Sequence, residues 1–433
     1  MSIKDSMRKL IMQCMKTTNL SGSVRPGVLR SGARAVALVL AGSVLAAQAA
    51  EAPKKPEPAL KAYADIRYRL EFVDQDGIAR SAAASTLRAR GGLRTREWQG
   101  LSAVVEGEAI MHVGAERFND TVNGQTQYPT VADPKDSSIN QAYLRWRWQD
   151  KFEANAGRQA VNLDNQRWIG SVGWRQNDQT LDAAGVTLKP VKGMSLAYSY
   201  VWRVNRIYGR DSAQGAWRDN SIHLIRLSQD LPGFGSIVAY DYLLDIPNAP
   251  AASSQTLGAR FSGSRAVGPQ VKLLYAVEYA RQSDYGDNPR DFSLDYLLLE
   301  PGVGVGPLTA RLGYERLEGN GTVALQTPLA TLHAFNGWAD KFLTTPVNGL
   351  RDVYGDVAWK LKGPGVMKDT SLRLMYHDYH SVHASVRYGS EWNFLVSHPV
   401  GAHLTVLAKF ASYNADGFAT DTKKYWMALE AKF

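Results

Sequence analysis

The sequence contains one cysteine, Cys14, and almost no long apolar stretches, and each shortage excludes a class of protein. A single cysteine excludes an internal disulfide and any zinc or iron–sulfur site built on several thiolates. Beyond residue 60, no uninterrupted apolar run exceeds five residues, whereas a membrane-spanning helix needs about 20. A helical membrane protein with several spans is therefore excluded. The hydrophobic fraction of 45% also excludes wholesale disorder.

The excess of positive charge lies mainly at the N-terminus. The chain has 50 Lys and Arg against 41 Asp and Glu, a formal net charge of +9. Residues 1–50 contain seven of the basic residues and one of the acidic ones, so the rest of the chain carries only +3. Because the rest is nearly balanced, no nucleic-acid partner is predicted.

The only long apolar segment resembles an export signal. AVALVLAGSVLAAQAA (35–50) follows three arginines and ends in small residues of the A-x-A kind. A charged region, an apolar region and a small-residue cleavage site together predict a secretory signal. The alternative is a buried N-terminal helix. We therefore expect a leader over 1–50, a short Pro/Lys-rich periplasmic segment over 51–59, and one domain over 60–433.

The rest of the chain alternates between apolar and polar residues. Strict period-2 patterning is typical of strands with one apolar and one polar face. In 423–433, for example, Tyr425, Met427 and Leu429 share one parity with the terminal Phe433. The same alternation occurs over 62–73, 194–204 and 270–280.

The links between predicted strands alternate between short and long. Short links are expected at 98–100, 149–151, 190–193, 231–235, 265–269, 301–307, 363–368 and 398–401. Long links are expected at 74–84, 114–138, 161–179, 205–219, 247–254, 282–292, 318–351, 380–385 and 414–422. Eight short and nine long links join 18 strands. Tight turns on one side and loops on the other predict an all-β fold, a transmembrane antiparallel up-and-down barrel of the outer-membrane type.

The strand parity of four arginines indicates which face of the predicted strands contacts lipid. Arg88, Arg90, Arg94 and Arg96 share one parity, opposite to apolar residues such as Leu87 and Leu93. Turned to lipid, each would cost about 2–4 kcal/mol near the bilayer midplane. They must therefore point into a hydrated lumen. A three-residue turn at 98–100 would place Arg90 opposite Glu108, and Arg94 opposite Val104 with Glu106 as its diagonal neighbour.

Aromatic residues support the same arrangement. Trp146 and Trp148 end the lipid face of one strand beside the short link at 149–151. Trp and Tyr favour the membrane interface. The terminal Phe433, with apolar residues at alternate positions before it, is of the kind that outer-membrane barrels present to the assembly machinery.

Several segments resemble the alginate-export family of outer-membrane proteins. The strongest match is RLGYERLEGNGTVALQTPLATLHAFNGWADKFLTTPVNGL (311–350). The others are AGRQAVNLDNQRWIGSVGWRQNDQTLDA (156–183), YHDYH (376–380), YGSEW (388–392) and KKYWMALEAKF (423–433). The resemblance implies a monomeric 18-stranded barrel whose basic lumen passes an anionic polysaccharide. It also implies that Arg158, Asp182 and Arg175 lie at or near the constriction.

Lumenal arginines are the strongest functional candidates. Guanidinium groups stay charged and bind carboxylates bidentately, so a row of them makes successive weak sites for anions. The predicted substrate path comprises Arg88, Arg90, Arg94, Arg96, Arg145, Arg147, Arg158 and Arg175. The predicted acidic partners are Glu106, Glu108 and Asp182. The alternative is that these arginines only brace the wall by pairing with carboxylates.

The loop over 318–351 is long enough to suggest a function. Its aromatic residues Phe335, Trp338 and Phe342 are predicted to belong to a loop at the pore mouth; an ordered rim is the alternative. No catalytic residue, cofactor or metal is predicted. His377 and His380 have opposite strand parity, which separates them as metal ligands.

The predicted function is a passive channel for anionic polysaccharide or other anionic saccharides, in the outer membrane and monomeric. Its expected partners are outer-membrane lipid, the saccharide and, through Phe433, the assembly machinery. One alternative is an uptake porin for small anionic solutes. Another is a non-channel barrel, an enzyme or adhesin with its activity in the extracellular loops. A soluble secreted protein is the third.

Overall fold

Eighteen long strands form the wall of the molecule. The computed structural model describes residues 58–365 and 367–433, so the predicted leader and most of the 51–59 segment lie outside the described residues. Each long strand runs antiparallel to its neighbours along the chain, and the two-residue β8 lies beside β7. The strands are β1 Leu60–Gln75, β2 Ala82–Thr95, β3 Leu101–His112, β4 Asp136–Trp148, β5 Phe152–Gln159, β6 Thr180–Leu188, β7 Met194–Asn205, β8 Ala216–Trp217, β9 Ser221–Leu231, β10 Gly235–Asp245, β11 Ser254–Ala266, β12 Val271–Asp284, β13 Ser293–Val305, β14 Leu308–Leu317, β15 Leu350–Lys360, β16 Ser371–His380, β17 Arg387–Val400, β18 Leu404–Ala415 and β19 Thr422–Lys432.

The first and last strands close the wall into a barrel. β1 pairs with β19 from Asp65 opposite Lys432 to Gln75 opposite Thr422. A closed barrel leaves no free sheet edge, which a structure spanning lipid requires. The predicted fold, an all-β antiparallel barrel of 18 strands, is confirmed.

The connections alternate as predicted. Short turns occupy 96–100, 149–151, 189–193, 232–234, 267–270, 306–307, 361–365 with 367–370, and 401–403. The other nine connections include two long loops, 160–179 and 318–349. The predicted and observed short links differ most at 301–307. There β13 continues to Val305 and leaves only a two-residue turn. In outer-membrane barrels the short turns are periplasmic and the long loops extracellular.

The outer face of the barrel is apolar. On β4, Leu144, Trp146 and Trp148 are exposed at alternate positions, as predicted. Leu312 on β14 is 69% exposed and Met427 on β19 is 51% exposed. Side chains as apolar as these need a lipid neighbour, and the protein is located in the outer membrane.

Two long loops fold into the lumen. We call 160–179 the first inner loop and 318–349 the second inner loop. Trp168 and Ile169 of the first, with Leu325, Leu329 and Trp338 of the second, belong to the buried apolar core. The two loops bind each other, since Gly170 N donates to Leu329 O at 2.8 Å and Thr331 N donates to Gln166 O at 3.1 Å.

Helical structure is minimal in the described residues. It consists of two 3-10 turns, Pro250–Ala252 and Leu332–Ala334. No helix in this part of the chain is long and apolar enough to cross a membrane.

Candidate functional site

Arginines of β1 and β2 hold the first inner loop against the wall. Arg67 donates to the carbonyl oxygens of residues 173–175 at 3.0–3.2 Å. Arg69 donates to the carbonyl of Trp174, and Arg90 to that of Gln176 at 3.3 Å. Because these carbonyls have no strand partner inside the lumen, the guanidinium groups satisfy them.

Arg175 continues this network from the loop side. Its Nη1 lies 3.3 Å from a carboxylate oxygen of Glu71, and its Nη2 lies 3.2 Å from Asp340. Arg69 also forms an ion pair with Asp133, which precedes β4. Burial alone would raise the pKa of the Asp133 carboxyl, but Arg69 and Arg175 hold it below its usual value. The first inner loop is thus tied to β1 by alternating charges.

Asp340 joins the second inner loop to the wall and to the first. Its carboxylate accepts hydrogen bonds from Lys424 Nζ at 2.8 Å and from His333 Nδ1 at 2.6 Å, besides the pair with Arg175. Burial alone would raise its pKa, but these three neighbours hold the pKa of Asp340 well below its usual range. We call Asp340, His333, Lys424 and Arg175, with Lys409, the latch.

Lys409 completes the latch inside an aromatic cage. Its Nζ donates to His333 Nε2 at 2.7 Å. The same Nζ lies 3.7 Å from the ring centroid of Trp338, 4.1 Å from Trp174 and 5.3 Å from Trp426. Burial, reinforced by nearby Lys409, lowers the pKa of His333 to about 3 against the opposing effect of Asp340. The ring is therefore neutral at pH 7, and its Nε2 can accept the hydrogen bond that Lys409 donates.

Two adjoining cavities lie above the latch at the long-loop end, and we call them together the vestibule. Their volumes are about 520 and 480 Å³. They share Arg175, Ile207, Tyr208, Asp340 and Leu343. The larger one is also lined by Lys341 and Lys424, so three cations surround the single carboxylate of Asp340. Burial and the neighbouring Lys424 lower the pKa of Lys341 to about 8.

The smaller vestibule cavity has an apolar wall. Trp217, Pro328 and Leu332 contribute to it. Arg206 lies over two of its rings, 4.2 Å from the centroid of Trp217 and 4.8 Å from that of Tyr208. Such a surface suits a solute with an apolar body and an anionic group.

Arg88 and Arg90 of β2 face the lumen, but both already form ion pairs with carboxylates. Arg90 lies opposite Glu108 and Arg94 opposite Val104, the register expected from the sequence. Arg90 pairs with Glu108 and, at 2.9 Å, with Asp178 of the first inner loop. Arg88 is fully buried and pairs with Asp65 at 2.7 Å. These two arginines therefore match the bracing alternative.

Glu106 differs from its predicted role as an arginine partner. It accepts hydrogen bonds from Asn140 at 2.7 Å and Gln141 at 3.2 Å. A bulge opposite Glu106 inserts Asn140 into β4, which brings both amides to the same carboxylate.

The remaining predicted arginines of β2 and β4 lie towards the short-turn end. Arg147 lies 3.4 Å from Glu153. Arg94 and Arg145 form no ion pair with any described residue. A place on the anion path remains a prediction for Arg94, Arg96, Arg145 and Arg147.

Arg158 and Asp182 do not lie in the lumen. They form a bidentate pair at 2.7 and 3.0 Å. Asp182 has the parity of Val186 and Leu188, which are exposed on the outer face. Of the three residues assigned to the constriction by family resemblance, only Arg175 lines the vestibule.

The aromatic residues predicted at the pore mouth anchor the second inner loop instead. Trp338 is buried against Lys409, and Phe342 is buried with its centroid 4.5 Å from that of Tyr379. Phe335 lies beneath Arg167, 4.8 Å from its guanidinium carbon. The loop extends into the barrel rather than forming an outer rim.

The histidine group is divided, as strand parity predicts. His377 is buried and pairs with Asp352 at 3.0 Å, whereas His380 lies beside Asp378. In the part of the chain that the structure describes, no three His, Cys, Asp or Glu side chains are grouped as a metal site.

Sequence reasoning missed Asp340, Lys341, Lys409 and Lys424. Parity could have found Lys424, because it alternates with the outward Tyr425 and Met427. Nothing in the pattern of the second inner loop distinguishes Asp340, since its importance depends on how the loop folds.

Comparisons with known proteins match the fold. No protein-family model and no curated protein matches the sequence, so the resemblance to the alginate-export family has no support there. Among solved structures, OccAB4 of Acinetobacter baumannii is 13% identical, with a TM-score of 0.70 over 88% of this chain and 100% of that one. OccK9 (OpdG) of Pseudomonas aeruginosa is 12% identical, with a TM-score of 0.69 over 86% and 98%. The outer membrane protein OpdK of Pseudomonas aeruginosa is 12% identical, with a TM-score of 0.64 over the same shares. These neighbours are 18-stranded outer-membrane porins.

Proposed function

We propose that the protein is an outer-membrane channel that admits small anionic solutes through the vestibule. The observation that carries the proposal is the charge of the larger cavity, where Arg175, Lys341 and Lys424 surround one carboxylate, Asp340. An excess of fixed positive charge in a cleft concentrates anions there. The barrel architecture, shared with outer-membrane porins, supports a channel rather than an enzyme.

The size of the vestibule favours small solutes over a polysaccharide. Cavities of about 520 and 480 Å³ fall within the range of roughly 300–1,000 Å³ of small-molecule sites. A polymer would need a continuous wide lumen, but the two inner loops occupy it. The uptake of small anions is therefore favoured over the export of an alginate-like chain.

Ion selectivity in planar lipid bilayers tests the proposal. We expect the purified protein to conduct and its reversal potential in a KCl gradient to show anion preference. Lys341→Gln removes one of the three vestibule cations and should reduce that preference. Lys192→Gln is the matched control, because this exposed lysine lies in the short turn 189–193.

Two results would contradict the proposal. A purified barrel that does not conduct would reject the channel. Conductance with equal preference for K⁺ and Cl⁻, unchanged in the Lys341→Gln variant, would reject the vestibule as its selective part.

We further propose that the chain is a monomer and that Phe433 is read by the assembly machinery. The terminal residue lies at the barrel seam, where Phe433 N donates to Ala64 O at 2.9 Å and Ala64 N to Phe433 O at 3.2 Å. Deleting Phe433 should lower the amount of assembled barrel in the membrane, which is measurable by heat-modifiable gel migration.

A further inference from the structure

A further cavity lies in the barrel wall between β4 and β7 and shares Arg206 with the smaller vestibule cavity. We call it the wall cavity, and its volume is about 370 Å³. It exists because β5 and β6 are short, with eight and nine residues, whereas β4 has 13. The pairing of β4 with β5 stops at Ala142 opposite Arg158, so residues 136–141 of β4 have no strand neighbour on that side.

Five arginines line the wall cavity: Arg158, Arg203, Arg206, Arg210 and Arg218. Arg158 is paired with Asp182, and Arg210 lies 3.6 Å from Asp136. The other three form no ion pair with any residue of the described chain.

The carboxylates that line the cavity are each paired with an arginine, although two of them share Arg90. Glu108 and Asp178 are both paired with Arg90, and Asp136 with Arg210. Counting Arg90 and Asp182, which pair with lining residues, six arginines face four carboxylates, so the cavity has an excess of two positive charges. Its lining also includes the amides of Asn177 and Asn248, which can donate hydrogen bonds to an anion.

Arg203 reaches the cavity through a bulge. The register of β6 and β7 shifts between Asp182 and Ala183, which adds Trp202 to β7 and places Arg203 opposite Asp182. The Nε atom of Arg203 is buried and has no hydrogen-bond partner among the described residues. A buried N–H without an acceptor is unfavourable, so an oxyanion at this place would satisfy it.

The outer side of the cavity lies at the membrane interface. Ile139 belongs to the lining and is 55% exposed on the outer face. Trp202, the neighbour of Arg203, is also exposed there. Exposed tryptophans mark the level of lipid headgroups. Because the cavity lies on the long-loop side of the barrel, that level is the outer leaflet.

We propose that the wall cavity binds a phosphate group, supplied by the headgroup of a phosphorylated glycolipid in the outer leaflet. Guanidinium groups match phosphate geometry and bind it bidentately. Arg203, Arg206 and Arg218 provide guanidinium groups that form no ion pair within the described chain, and the exposed Ile139 and Trp202 place the outer side of the cavity next to lipid. A free phosphate arriving from the lumen has the same chemistry. The site does not depend on conduction through the vestibule.

The binding of two probes to the purified full chain tests this proposal and its source. Native mass spectrometry measures retention of diphosphorylated lipid A, and titration calorimetry measures inorganic pyrophosphate. Each arginine lost should weaken binding roughly tenfold, so Arg203→Gln/Arg218→Gln should weaken lipid A binding about 100-fold. Arg265→Gln is the matched control, since Arg265 is exposed on β11 near a short turn. The double lysine variant R203K/R218K should bind with intermediate affinity.

The outcomes are distinct. Lipid A binding that the double glutamine variant loses, without pyrophosphate binding, supports the headgroup site. Pyrophosphate binding alone, with the same dependence on the arginines, keeps the phosphate site but overturns the lipid source. Equal binding by the wild type and the double glutamine variant overturns the proposal. Heat-modifiable gel migration shows that each variant has folded, and bilayer conductance reports separately on the proposed channel.

Discussion

Replacing Asp340 by asparagine should release the second inner loop from the wall. In the wild type this carboxylate accepts hydrogen bonds from Lys424, Arg175 and His333. An amide can accept fewer of these bonds and carries no charge to offset the two cations. Arg175 and Lys424 would then repel each other, and His333 Nδ1 would donate to a neutral oxygen instead of a carboxylate.

The size of the effect follows from burial. The side chains of Asp340, Lys424 and Arg175 are 5%, 6% and 8% exposed. Removing one partner of a buried ion pair costs about 3–5 kcal/mol. Because the substituted asparagine would retain a hydrogen-bond acceptor, we expect the lower end of this range. A loss of about 3 kcal/mol raises the population of an open loop on the order of 100-fold.

Hydrogen exchange of the folded protein in detergent measures this opening. Peptides covering 332–345 should lose protection on the order of 100-fold in Asp340→Asn, while strand peptides stay unchanged. Asp369→Asn is the control, because Asp369 is 46% exposed and its pair with Lys360 at 3.6 Å lies at the short-turn end. Unchanged protection of 332–345 in Asp340→Asn would refute the assignment of Asp340 as the centre of the latch.

Two further perturbations act on the inner loops. The folded-state pKa of His333 is about 3, below its ordinary value of about 6.5. The contribution of the neutral ring to the free energy of unfolding is therefore complete above about pH 6.5 and is lost as the pH falls toward 3. Protonation would place a second cation against Lys409, and thermal unfolding of His333→Gln should lose this acid dependence; an identical slope in the variant would contradict it. Gly170→Ala should also loosen the loops, since an added Cβ would lie 2.2 Å from Thr331 Oγ1 and 2.9 Å from Thr331 N. Gly173→Ala, whose nearest contact would be 3.8 Å away, should retain wild-type protection by hydrogen exchange, and equal behaviour of the two variants would reject close loop contact.

Strand number, loop alternation and the inward direction of Arg88 and Arg90 were predictable from the sequence. These features depend on period-2 patterning, which a barrel wall between lipid and lumen imposes on each strand. The pairing of Arg90 with Glu108 was predictable as well, because a short turn determines the register of its hairpin.

The partner that each arginine binds was not predictable from the sequence, because it depends on the path of the inner loops. Arg67 and Arg69 donate hydrogen bonds to carbonyl oxygens of residues 173–175. No strand pattern determines where these loop residues lie. Arg158 and Asp182 are a different case. Strict alternation with Val186 and Leu188 indicates the outer face for Asp182, whereas family resemblance indicated the constriction.

The inner loops are attached to the strands on both sides of the closing seam, which has a consequence for assembly. Their anchors come from both ends of the sequence, with Arg67 and Arg69 on β1 and Lys409 and Lys424 on β18 and β19. Across the seam itself, Arg67 pairs with Glu430 at 3.2 Å. The complete docking surface therefore forms only when the first and last strands meet. We therefore expect the inner loops to become fixed only after the wall of the barrel has closed.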